Sequence, residues 1–175
     1  MNLRSALLIA LFTAVTSFAF AQKSEQLKID WPDEYKWQIG SDQETQEQHM
    51  IELVPGNETV EKWTILGTMI SIKNVQNVPM NVATNLMFEQ AKKRAIEPKI
   101  TIIERNDDAK HPWIIFKIEA ASFNDDPNPE SQLYYIIQGN TSLYTNLVAI
   151  KEKALSKAFV DKWAKTFKKS ELVYQ

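Results

Sequence analysis

The chain has 175 residues, 44% of them hydrophobic and 24% charged, and a formal net charge of −2. That suffices for one globular domain of ordinary composition and not for two. It contains no cysteine, which excludes a disulfide scaffold, a zinc site built on thiolates and any cysteine nucleophile.

Met1 to Arg4 is a short basic start, Ser5 to Phe20 is almost wholly apolar, and Ala19-Phe20-Ala21 supplies the small-x-small pattern that signal peptidase reads. Residues 1–21 are therefore expected to be a cleaved signal peptide. The apolar stretch is short for a bilayer span, and no later segment is apolar for long enough, so no transmembrane anchor is expected. The expected location is periplasmic or secreted. There a chain without disulfides relies on its core, and about 150 residues bury roughly two thirds of their surface. The sequons at Asn57 and Asn140 would carry glycans only in a eukaryotic secretory pathway.

Residues 22–33 are polar and read as a flexible lead-in, followed by a single α+β domain over 34–175. A first strand is expected near Tyr35 to Ile39 and a second over Gln46 to Val54, ending at Pro55-Gly56, a pair suited to a tight turn. Asn57 and Thr59 are placed to cap a helical turn through Val60 to Trp63. Ile65 to Ile72 has the β-branched content of a strand at the sheet centre. From Pro79 to Ala95 the period becomes helical, with Ala83, Leu86, Met87, Ala91 and Ala95 on one face and Lys92, Lys93 and Arg94 near the C-terminal dipole.

Ile100 to Glu104, Trp113 to Glu119, Gln132 to Gln138 and Thr141 to Ile150 give four further strands, the last two joined by a hairpin turn at Gly139-Asn140. A final helix over Leu155 to Leu172 sets Leu155, Phe159, Trp163 and Phe167 on one side and lysines on the other. The order predicts an α+β fold: an antiparallel sheet of six to seven strands with helices packed across it.

The stretch Glu52-Leu53-Val54-Pro55-Gly56-Asn57-Glu58-Thr59-Val60-Glu61-Lys62-Trp63-Thr64, after a leader and a Trp-containing strand, resembles a segment of small exported bacterial proteins of the PsbP-like fold group. The resemblance implies an α/β/α sandwich and a binding or scaffolding role, and supplies no catalytic motif. Trp63 is then expected to pack under the turn.

Chemistry is sparse. The two histidines are His49 and His111, the residue type most used for acid–base work near neutral pH. His49 and Glu52 share a strand at odd spacing, so they point to opposite faces. His111 precedes Pro112 in a loop. The loop Asn124-Asp125-Asp126-Pro127-Asn128-Pro129-Glu130 places oxygen ligands at alternate positions, as calcium prefers, but without a glycine for a tight wrap. Asp and Asn are also ordinary turn residues. No glycine-rich phosphate cradle and no nucleophile elbow is present.

Charge is polarised: residues 30–61 hold nine acids against one lysine, whereas 151–175 hold seven lysines against three acids. The basic side of the last helix suits an acidic partner or anionic headgroups, or is simply solvated. Nucleic acid is not expected for an exported chain of net negative charge. The reading is an exported, non-enzymatic binding or accessory module for a protein partner in the cell envelope or outside the cell. Its candidate contacts are Asp125, Asp126, Asn128 and Glu130 on the loop and Lys162, Lys165 and Lys169 on the helix. No catalytic residue, metal ligand or cofactor is assigned, calcium at 124–130 being the minor exception. The alternatives are a hydrolytic enzyme using His49 or His111 with carboxylates, and a small-ligand carrier. Oligomeric state is not legible.

Overall fold

A computed structural model describes residues 24–175; the proposed leader lies outside them. In chain order come β1 (Glu25–Lys28), a 3-10 turn (Asp33–Tyr35), β2 (Trp37–Glu44), β3 (Gln48–Pro55) and β4 (Ile65–Lys73). Helix α1 (Met80–Arg94) follows, then β5 (Lys99–Asn106), β6 (Trp113–Ala120), β7 (Glu130–Gln138), β8 (Ser142–Ile150), α2 (Lys157–Phe167) and β9 (Glu171–Tyr174). Seven strands make one antiparallel sheet in the order β2-β3-β4-β8-β7-β6-β5, and β1 pairs with β9 in a separate two-stranded ribbon. The α+β class and the seven-stranded sheet with two helices agree with the sequence reading.

Strand alternation divides the core in two. Leu133, Tyr135 and Ile137 of β7 join α2, β1 and the aromatic residues on one face. Tyr134 and Ile136 join α1 on the other. Because side chains on a strand alternate between faces, central β8 is buried along nearly its whole length. Tyr134 and Tyr135 are thus both buried, under opposite layers.

Helix α2 seats Trp163 and Phe167, both 0% exposed, on its face of the sheet. Trp31, Tyr35 and Trp37 pack around Trp163 at centroid separations of 5.4, 5.8 and 6.2 Å. The indole N–H groups of Trp31, Trp37 and Trp163 are buried without an acceptor among the described residues. The three tryptophan rings meet one another in T-shaped pairs. Ser156 caps the helix, its hydroxyl accepting from the Phe159 amide at 3.2 Å.

Several expectations are corrected. The described part of the lead-in is ordered: Leu27 and Ile29 are buried in the core and Glu25 is 8% exposed, so the alternation Glu25-Leu27-Ile29 marks a strand that its polar neighbours hide. The domain therefore takes in residues 24–33. No helical turn forms at 60–63; a bridge between Thr59 and Lys62 closes a tight turn, and the Glu58 carboxylate accepts from the Thr64 amide and hydroxyl at 2.7 and 2.8 Å. The sheet centre is β8, with β4 one place away. On α1 the inward face is Met80, Ala83 and Thr84, and Leu86 is 54% exposed. The last helix ends at Phe167, and Leu172 belongs to β9, whose partner edge β1 was not foreseen. In the β7–β8 hairpin the two-residue tip is Asn140-Thr141, closed by the Gly139 amide on the Ser142 carbonyl at 2.8 Å. Gly139 is required by space: a Cβ there would lie 2.2 Å from Glu25 Oε1.

Candidate functional site

Helix α2 and the β1–β9 ribbon cover only part of their sheet face. Over β3, β4 and β8 the face stays open as a trough of about 490 Å³. Its floor is two cross-strand rows fixed by the register, His49–Ser71–Tyr144 and Ile51–Met69–Asn146. Ser24 to Leu27 form one wall, and Glu44 and Lys73 stand at one end.

Glu25 holds that wall in place. Its carboxylate accepts from the Asn140 amide at 2.8 Å, the Asn140 side chain at 2.9 Å, the Thr141 amide at 3.1 Å and the Tyr174 hydroxyl at 3.1 Å. One side chain thereby ties β1, the hairpin tip and the C-terminal strand. Burial works to raise the Glu25 carboxyl, but the Thr141 and Asn140 amides and the two side-chain donors prevail and hold it below the usual carboxylate range. The Tyr144 hydroxyl donates to the Glu25 carbonyl at 2.8 Å, and burial, then the neighbouring Glu25 charge, push it up to about 12.

Several further polar groups of the trough are also engaged. His49 Nε2 lies 2.7 Å from Asp42 Oδ1, both partly exposed towards the β2 edge. Lys73 Nζ donates to Glu44 at 2.5 Å and to the Thr45 carbonyl at 3.0 Å. Asn146 is 1% exposed and donates to the Tyr135 carbonyl at 3.4 Å. An Asp42–His49 pair beside Ser71 has the residue types of a nucleophilic triad. Ser71 however sits against the Tyr144 hydroxyl, and no hydrogen bond joins it to His49. The arrangement offers donors and acceptors around the apolar side chains of Ile51 and Met69.

His111 is elsewhere. Its Nδ1 lies 3.1 Å from the Gln138 carbonyl oxygen, in a separate groove with Arg105 and Lys110 near the start of α1. The two imidazoles therefore do not share a site. His49 and Glu52 do point to opposite faces, Glu52 pairing with Thr68 in the neighbouring register row.

The 124–130 loop is tied to the end of α1, where the Asn124 side chain donates to the Lys93 carbonyl at 2.9 Å. Asp126 accepts from the Asn128 amide and side chain at 2.8 and 2.7 Å, which hold its carboxyl below the ordinary value. Its oxygens thus close an Asx turn. Among the described residues no three His, Asp or Glu converge as metal ligands. Asp125 is exposed on the same loop, and Glu130 lies at its end beneath α1. On α2, on the opposite face of the sheet, Lys162 pairs with Glu34, donates to the Tyr35 hydroxyl at 2.8 Å and lies 4.4 Å from that ring's centroid. Lys165 and Lys169 form no ion pair among the described residues. Loop and lysines do not make one surface.

The sequence reading missed the trough and its supports: Glu25, Asp42, Met69, Tyr144 and Asn146. One signal was present, since Asn146 stands in the middle of a strand buried along nearly its whole length, where a buried amide needs a partner. Among the described residues no helix is long and apolar enough to cross a membrane. In comparison with known proteins, no family model matches this chain, and no curated protein matches it.

Proposed function

We propose that this chain is an exported, non-enzymatic binding module and that its protein partner docks in the trough beside β1. The observation that carries the reading is an open depression in which His49, Lys73 and Glu25 are already bonded to neighbouring groups, with Ile51 and Met69 as apolar side chains on its floor. Pre-formed concavities with few fixed polar groups favour binding, whereas nucleophilic catalysis needs a base in contact with its nucleophile. Export is supported by the leader-like residues 1–21. The layer order supports placing the fold with the PsbP-like group.

The test is affinity capture from a cell-envelope extract with residues 22–175 as bait, in parallel with Met69→Asp. A species held by the wild type and lost with Met69→Asp supports the reading, and equal capture by both overturns it. A His49→Ala, His111→Ala double variant separates the classes: a binding module keeps its capture and its phenotype, and a hydrolase loses its phenotype.

A further inference from the structure

On the opposite face, the C-terminal half of α1 does not close onto the sheet. A recess of about 250 Å³ remains between that half of α1, the end of β6 and the start of β7. Met87, Ala91, Ile118 and Phe123 supply apolar lining. Along β7 the residues at alternate positions form a polar chain on this face. The Tyr134 hydroxyl donates to Gln132 Oε1, and Gln132 Nε2 donates to Glu130 Oε1 at 2.5 Å. The chain ends at Glu130, whose second oxygen has no partner among the described residues. Arg94 lines the same recess, and its guanidinium forms no ion pair among the described residues.

A largely buried carboxylate with a free oxygen and a guanidinium without an ion pair, both lining one partly apolar recess, are complementary to one kind of small molecule. We propose that this recess binds a free α-amino acid with an apolar side chain, its ammonium on Glu130, its carboxylate on Arg94 and its side chain against Met87, Ala91 and Ile118. The volume falls below the roughly 300–1,000 Å³ of drug-sized ligand sites, which suits a ligand of amino-acid size. A simple amine would bring no carboxylate for Arg94, and a simple acid would bring no ammonium for Glu130. Only a zwitterion satisfies both signs. Burial pushes the Glu130 carboxyl up, against the pull of Gln132, Arg94 and Lys151 and with a small push from Asp126, and an arriving ammonium would add a direct donor to its free oxygen. This site stands apart from the trough, so the two readings succeed or fail separately.

The test is titration calorimetry of residues 22–175 with L-leucine, L-methionine and L-phenylalanine. The binder among them is then compared with its decarboxylated amine and its deaminated acid. Binding of at least one amino acid, weakened about tenfold or more by removing either charge, is expected from the loss of a charge-assisted contact. Glu130→Gln should weaken the amino acid and leave the deaminated acid no weaker. Arg94→Gln should weaken the amino acid and leave the amine no weaker. Unchanged melting of both variants shows that the fold is intact; should Glu130→Gln melt early, Arg94→Gln, which is at the rim, gives the decision alone. No heat with any of the three at millimolar concentration overturns the proposal, as does an amine or acid that binds as tightly as its parent.

Discussion

Helix α2 lays two fully buried rings, Trp163 and Phe167, onto one face of the sheet, whereas α1 meets the other face with Met80, Ala83 and Thr84. The rings of α2 reach out to Trp31, Tyr35 and Trp37 and recruit a segment from each end of the chain to finish the layer. The start of α1 is buried through Met80, Ala83 and Thr84, whereas further along Met87, Phe88 and Ala91 are only partly buried and the recess remains near Arg94. Each face is open where its helix stops covering it, at the trough beside β1 on one face and under the end of α1 on the other. On the α2 face the opening is the trough beyond the reach of the aromatic cluster.

Substitutions sharpen this contrast. Trp163→Ala should cost about 3–5 kcal/mol, and Met80→Ala less, towards the lower end of the roughly 2–5 kcal/mol range for Met-to-Ala changes in a core. Urea denaturation of both variants measures the gap, and equal costs would show that the two layers do not differ as described.

Glu25→Gln is expected to cost about 1–3 kcal/mol at neutral pH, because an amide in this nest faces donors with a donor of its own. The native Glu25 carboxyl lies below its ordinary value. Its contribution is therefore fully present above about pH 4.5 and is lost as pH falls through the lower folded value. Denaturation at a series of pH values should show wild type and variant converging in acid, and a difference independent of pH would remove the charge from the account.

Gly139→Ala pushes a methyl group into the Glu25 carboxylate and should cost about 1–3 kcal/mol as overpacking. Combined with Glu25→Ala, which empties that space, the cost should shrink, so a double-mutant cycle reads the contact directly. The smallest effect is expected for Leu86→Ala on the exposed side of α1, within about 0.5 kcal/mol.

The strands that carry strong alternation or a continuous apolar run, β6, β7 and β8, were legible in the sequence, as were both helices. The register rows that build the trough were not. His49, Ser71 and Tyr144 are distant in sequence, and only strand order β3-β4-β8 brings them side by side. The same holds for β1 and β9, four residues each, which are too short for a periodic signal and exist because each supplies the other's edge. Gly139-Asn140 reads as the two-residue hairpin tip, whereas the tip lies one residue on and the lack of a side chain at Gly139 admits Glu25. Leu86 fits the helical period, but the face of α1 is set by Met80 and Ala83 one step around the helix.

The most direct measurement of the central claim is amide hydrogen exchange of residues 22–175, free and saturated with the species captured from the envelope extract. The account predicts added protection at residues 24–27, 49–51 and 69–71, around the trough. Protection confined to the 123–130 loop or to α2, with the trough unchanged, would contradict it.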